Sequence, residues 1–340
     1  MIRVGVNGFG TIGRRVADAI ICQPDMELVG VAKVRPDYKA GIIARRGFRL
    51  YGVNEKAANG LQEAGYKVEG TLSDLLGRVD VIVDTVPAKL AKENRALYEA
   101  AGVRAIFQGG EKADIAEVSF NAQANYEQAW GRRSARVISC NSTGLTRAIH
   151  TLHTSFGIER ARAILARKAT DPDDPRSGPV NAVLLDPCPA NIPTHHGSSV
   201  NTVLPEVKVF SSAVRIPSTI FHFHTLFVTV RERRVTEEQV VKAFEAATRI
   251  IFVDSREGIG STAELFDYTR ELGRLRPDLY ELAVWKDTVK VDDGEVFLHM
   301  AVHMEAIVIP ENIDCIRSLC QVAPKAESIR MTNEALGIMK

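Results

Sequence analysis

Two groups of residues in this chain of 340 have the types and spacing that chemistry needs. Ser139-Cys140-Asn141-Ser142-Thr143-Gly144 places a cysteine after a short apolar run and at the foot of a predicted helix. A thiol there meets unpaired backbone N–H groups and the positive end of the helix dipole, which are expected to lower its pKa from ~8.5 and make it a nucleophile. Gly8-Phe9-Gly10-Thr11-Ile12-Gly13 follows a strand-like run and opens a helix, the context in which such a glycine turn cradles a dinucleotide pyrophosphate. Gly8, Gly10 and Gly13 let the backbone turn tightly and approach the phosphates. An activated thiol and a bound hydride acceptor together oxidise an aldehyde through a thioester.

Such a thiol needs a histidine beside it, and the chain offers His150, His153, His195, His196, His222, His224, His299 and His303. Spacing alone leaves that choice open. His222 and His224 alternate on a predicted strand and so share one face, whereas His195-His196 lies in a long loop suited to anions. Arg167, Lys168, His195, His196 and the hydroxyls of Ser142 and Thr143 are the candidate anion donors. The second strand ends Val31-Ala32-Lys33-Val34-Arg35, without the carboxylate that selects NAD, so NADP is expected to be preferred over NAD.

The elements that must position these groups follow from periodicity. Residues 1–139 alternate short apolar runs (3–7, 28–32, 79–85, 105–107, 136–139) with helical stretches (12–22, 88–101). That pattern predicts a Rossmann-type parallel sheet with crossover helices. Residues 140–304 are expected to form an α+β catalytic domain with a mixed, mostly antiparallel sheet, from runs at 162–168, 207–216, 220–230 and 283–301 and an amphipathic helix at 237–249. A helical tail over about 305–340 is expected to pack back on the first domain. Asp171 to Gly197, crowded with proline, asparagine and glycine, is too long for an ordinary connection and reads as part of a site or a subunit interface.

Composition narrows the class. With 43 basic and 42 acidic side chains the formal net charge is +1, which gives no electrostatic footprint for nucleic acid or an anionic membrane. No apolar run approaches the ~20 residues of a membrane helix, and a cytoplasmic enzyme is expected. Cys22, Cys140, Cys188, Cys315 and Cys320 contain no CxxC pair, so neither a metal site nor a disulfide framework is expected.

Taken together, the residues resemble archaeal glyceraldehyde-3-phosphate dehydrogenase. The likeness rests on 7–15 (NGFGTIGRR), 106–112 (IFQGGEK), Ser139-Cys140-Asn141, 193–196 (PTHH), 217–222 (PSTIFH) and 309–314 (IPENID), in one order over essentially the whole chain. The resemblance implies phosphorylating oxidation of D-glyceraldehyde 3-phosphate with NAD or NADP and inorganic phosphate, a homotetramer, and a place in glycolysis or gluconeogenesis. It makes Cys140 the nucleophile and His222 the base. Ser139, Asn141, His195 and His196 fall on substrate-binding positions, Thr11, Ile12, Gly110 and Lys168 on cofactor contacts, and Lys33 on the position meeting a 2′-phosphate. Met304 departs from the family's usual glutamine, Arg14 from lysine and Ser142 from threonine. The alternatives are a semialdehyde or acyl-phosphate reductase, which would need an arginine fork for its substrate carboxylate, and an inert cofactor- or RNA-binding protein, against which the presence of both Cys140 and His222 and the near-zero net charge speak.

Overall fold

A computed structural model describes residues 1–168, 181–218 and 220–339, so the first ten residues of the stretch from Asp171 to Gly197, and Thr219, lie outside the described residues. The chain divides into two compact units: Met1–Val137 with Ile309–Leu336, and Ile138–Val308 with Gly337–Lys340.

The first unit begins with β1 (Ile2–Asn7), α1 (Thr11–Ile21), β2 (Met26–Lys33), α2 (Tyr38–Arg45), β3 (Leu50–Gly52), α3 (Glu55–Glu63), β4 (Val68–Thr71) and α4 (Leu72–Leu76). It continues through β5 (Val81–Asp84), α5 (Ala91–Ala100), β6 (Arg104–Phe107), β7 (Val118–Phe120), α6 (Ala122–Asn125) and β8 (Ser134–Val137). Its eight strands form one sheet in the order β4-β3-β2-β1-β5-β6-β8-β7, with every neighbouring pair parallel. Covered on both faces, the central strands are apolar without alternation: Val81, Ile82 and Val83 are fully buried. Strands β1 and β5 end beside each other at the C-terminal edge of the sheet, where Asn7 pairs with Asp84 and with Ala32 of β2.

In the second unit come α7 (Cys140–Phe156), β9 (Ile158–Lys168), β10 (Leu184–Leu185), α8 (His195–Asn201), β11 (Lys208–Ile216), β12 (Phe221–Val230), α9 (Glu237–Ala246), β13 (Ile250–Val253), α10 (Thr262–Arg270), β14 (Leu282–Trp285), β15 (Lys290–Asp292) and β16 (Glu295–His303). The sheet runs β10-β11-β9-β12-β16-β14-β13, with β15 on β16; β11/β9 and β13/β14 are parallel and the other pairs antiparallel. The mixed, mostly antiparallel sheet is thus as the sequence predicts. Helices α11 (Ile309–Cys320) and α12 (Lys325–Leu336) then return to the first unit. There the Arg317 guanidinium donates to Asp25 and Gln23 beyond the end of α1.

Register assigns the faces of the second sheet. Phe223, Thr225 and Phe227 of β12 lie opposite Ala166, Ile164 and Arg162 of β9, and Arg162 lies opposite Phe210 of β11. At one end of this face α10 packs against Phe221, Ala283 and Trp285. Farther along, Ile164 and Phe210 remain about half exposed (52% and 49%). His222 and His224 project to the other face, toward α7.

Candidate active site

Helix α7 begins where its sequence dictates. Ser139 holds an extended backbone and its Oγ accepts the Ser142 N–H at 3.4 Å, capping the first turn, while the Thr143 N–H bonds the Ser139 carbonyl at 2.7 Å. Cys140 is therefore the first helical residue. Farther along the helix, the fully buried Arg147 guanidinium donates to the carbonyls of Tyr280 (2.6 Å), Ile307 (3.0 Å) and Arg249 (3.3 Å). Three separate segments are thereby tied to the helix that carries the thiol.

Strand β12 supplies the partner. Cys140 Sγ lies 3.6 Å from His222 Nε2. The other ring nitrogen, Nδ1, accepts the Lys168 backbone N–H at 3.0 Å. A nitrogen that accepts a main-chain N–H carries no proton, so the neutral ring holds its hydrogen on Nε2 and presents it to the sulfur. Burial, reinforced by Arg167, pushes the His222 pKa well below its usual value and keeps the ring neutral. In this arrangement Nε2 is a donor, so the proton-accepting role expected for His222 lacks a free lone pair facing the sulfur.

The expected lowering of the Cys140 pKa is overturned as well. Burial pushes the thiol up, and Arg167, the Asn141 N–H and Lys168 pull it down without reversing the shift. The helix terminus was the right signal; the desolvation of the whole site was not readable from neighbours in sequence.

Around this pair the structure gathers most of the expected anion donors. His196 is buried beside Thr194, with its Nδ1 3.1 Å from Thr194 Oγ1, and its ring lies 4.0 Å from that of exposed His195. Ser142 Oγ donates to the His196 carbonyl at 3.2 Å, linking α7 to α8. Arg167 pairs with Asp186, which Arg215 also approaches at 3.4 Å. Asp186 is not apparent as the partner from sequence because it lies 19 residues farther along the chain. Thr143 is fully buried and its hydroxyl donates to the Ile138 carbonyl at 3.2 Å, so it is engaged in the helix foundation rather than offered to an anion. Lys168 closes β9 with its side chain buried. His224 is fully buried and bonds Asn141 Oδ1 through Nε2 at 2.8 Å.

In the first unit, the glycine turn fits a dinucleotide. Gly10 caps α1 with no side-chain acceptor and no carboxylate stands in the first turn, so the positive end of the helix dipole at Thr11 and Ile12 is not offset by a negative charge. Gly8 has φ +98°, which favours glycine, and a Cβ at Gly13 would lie 2.2 Å from the Gly8 carbonyl oxygen. Beneath the turn, Asn7 donates to Tyr98 Oη, which donates to Asp84 at 2.7 Å; this buried network was missed because its members are far apart in sequence. Gly110, φ +88°, sits in a loop anchored by Glu111, whose carboxylate accepts the Gly109 N–H at 2.9 Å. Lys33 ends β2 at the same edge, but its ammonium is not free: Nζ pairs with Asp37 at 2.8 Å. The carboxylate absent from the strand end is supplied four residues later by the cap of α2, where Asp37 also accepts the Lys39 N–H.

The full chain aligns with named relatives. It is 49% identical over 340 residues to a glyceraldehyde-3-phosphate dehydrogenase of Archaeoglobus fulgidus, covering 100% of this chain and 98% of that one. The chain belongs to the glyceraldehyde-3-phosphate dehydrogenase family. A relative of the same name from Hyperthermus butylicus is 50% identical (100% and 98% covered), and one from Thermococcus kodakarensis 46% over 339 residues (100% and 99% covered). Residues 139–288 match the model of the glyceraldehyde 3-phosphate dehydrogenase C-terminal domain, and residues 2–125 that of the dihydrodipicolinate reductase N-terminus. As a member of this family, the chain is an oxidoreductase that uses a nicotinamide nucleotide. Among the described residues no helix is long and apolar enough to cross a membrane.

Proposed function

We propose that this protein catalyses the phosphorylating oxidation of D-glyceraldehyde 3-phosphate, with Cys140 as nucleophile and His222 as its partner. The observation that carries this reading is the 3.6 Å approach of Cys140 Sγ to His222 Nε2 at the foot of α7, inside a ring of cationic and hydrogen-bonding groups. The thiol loses its proton to solvent, and the Nε2–H of His222 faces the thiolate. The thiolate adds to the aldehyde carbon, and the same Nε2–H then holds the alkoxide oxygen so formed. Oxidised nicotinamide, when bound, supplies the hydride acceptor. The carbonyl re-forms as a thioester on Cys140, and a phosphate oxygen attacks that carbon, expelling the Cys140 thiolate and releasing the acyl phosphate. Arg167, Lys168, His195 and His196 hold the two phosphates, the Ser142 hydroxyl hydrogen being given to the His196 carbonyl, and Ser139 and Asn141 flank the reacting carbon.

The first unit would hold the cofactor, with Gly8, Gly10, Thr11, Ile12 and Gly13 at its pyrophosphate and Gly110 as a further contact. Lys33 supports acceptance of a 2′-phosphate, with NAD also used, and Asp37 moderates that preference. The half-exposed apolar face around Ile164 and Phe210 supports a homotetramer, since an open sheet face of this kind is covered in a stable assembly.

Cofactor reduction followed by absorbance tests the function. Turnover with glyceraldehyde 3-phosphate should require phosphate and vanish in Cys140→Ala. Turnover with an amino-acid semialdehyde instead would replace this assignment.

A further inference from the structure

Beside the Cys140–His222 pair runs a second one whose histidine the reaction above does not use. His222 and His224 stand two residues apart on β12, their rings 6.5 Å between centroids and nearly parallel at 11°. Each reaches the start of α7: His222 to Cys140, His224 to the next residue, Asn141, at 2.8 Å. Both members of the second pair are buried, His224 fully and Asn141 to 1% exposure.

The proton positions follow from what lies around the ring. Among the described residues, buried His224 Nδ1 has no hydrogen-bond partner. An orphaned buried N–H is rarer than an orphaned acceptor, so the hydrogen belongs on Nε2, which donates it to Asn141 Oδ1. Burial holds this ring neutral, with its pKa down at about 3. The carbonyl end of the Asn141 amide is thus committed to His224, and its NH2 end, with two donors, is turned the other way. Without that bond the amide could flip and offer an acceptor instead.

We infer that His224 is a positioning residue that locks the Asn141 amide so that its NH2 group recognises the hydroxyl on the carbon next to the reacting carbonyl. The inference rests on the function proposed above. When the aldehyde carbon is joined to Cys140 and its oxygen lies at His222, the adjacent carbon falls on the side of Asn141, one residue on along α7. A 2-hydroxy aldehyde meets a donor there; an aldehyde without that hydroxyl leaves the amide unpaired. The pair therefore gives the site its selection for 2-hydroxy aldehydes, independent of the thiol chemistry.

The test compares kcat/KM for D-glyceraldehyde 3-phosphate with that for 3-phosphooxypropanal, which lacks the 2-hydroxyl. Native protein should prefer the hydroxylated substrate by on the order of 10–100-fold. In His224→Leu the ratio should fall toward one, while the pH profile of Cys140 alkylation by iodoacetamide stays unchanged. His224→Gln, which can still donate to Asn141, should recover most of the ratio. Should the leucine variant fail to fold, Asn141→Ala carries the same ratio test. An undiminished ratio in these variants, or an equal loss on both substrates, overturns the inference. If native protein turns over neither aldehyde, the proposed function itself fails, a result distinct from either of these.

Discussion

Asp37→Asn should strengthen NADP binding and leave NAD binding nearly untouched. The Lys33 ammonium sits 2.8 Å from the Asp37 carboxylate, so a 2′-phosphate received on the other side of that ammonium lies about 6 Å from the carboxylate charge. At that separation, repulsion is about 0.7 kcal/mol per unit charge in bulk water and about 2.8 kcal/mol at an effective dielectric constant of 20. The Asp37 side chain is 40% exposed, which places the interaction near the lower figure, at about 1 kcal/mol per charge. A phosphate carrying about 1.5–2 charges at neutral pH then gains about 1.5–2 kcal/mol when Asp37 becomes neutral, a 10–30-fold tighter Kd. Asparagine caps a helix as well as aspartate does, so α2 should keep its start at Tyr38. Calorimetric titration with NADP and NAD, and with 2′,5′-ADP against ADP, reads the difference without any turnover. The NADP gain should shrink in high salt, where partly exposed charges are screened. An NADP affinity that is unchanged or weaker in a folded Asp37→Asn protein would refute the placement of the 2′-phosphate at Lys33.

Because burial raises the Cys140 thiol, iodoacetamide alkylation of the protein without ligands should rise with pH through a midpoint above the ~8.5 of a free thiol. Arg167→Gln removes a positive charge that stabilises the thiolate, so the midpoint should move higher still; a fall would contradict the assigned electrostatics. Arg147→Leu removes the donor shared by the Tyr280, Ile307 and Arg249 carbonyls, the last of which keeps the Leu282 N–H, and should destabilise the fold by about 3–5 kcal/mol, measured by denaturant unfolding. Ile164→Glu combined with Phe210→Glu should break the proposed tetramer, with sedimentation velocity showing smaller species; an unchanged assembly would place the interface elsewhere.

What could be read in the chain beforehand was the part written in local pattern. The glycine turn, its strand and its helix lie within twenty-one residues, and β12 was legible as a strand because Phe and His alternate along it. Strands β11 and β12 lie within one residue of their expected bounds, whereas β9 begins at Ile158, four residues before the expected run. By contrast α2, β3, α3 and β4 went unseen: β3 has only three residues, and α3 reads Glu-Lys-Ala-Ala-Asn-Gly, where polar residues and an internal glycine blur the helical period. The predicted helix at 237–249 ends at Ala246, because Ile250 is already paired to Leu282 in the sheet. At the site, side-chain types were legible but their pairings were not. Nothing in local sequence joins Lys33 to the cap of the following helix, Arg167 to Asp186, or His224 to Asn141 eighty-three positions away. The protonation of Cys140 depends on how much water the folded site excludes, a property of no short segment.

The bond from the Lys168 amide to His222 Nδ1 comes from main chain, which gives it an unusual genetic standing. Side-chain scanning at position 168 varies the ammonium and leaves this donor in place, so the tautomer of the catalytic ring is buffered against nearly every point mutation there. Proline alone removes the N–H, and it is poorly tolerated within a sheet. An amide-to-ester replacement, which deletes the N–H and keeps the chain, is the substitution that isolates it. The feature most firmly setting the chemistry of His222 is thus one that drift in sequence cannot readily touch.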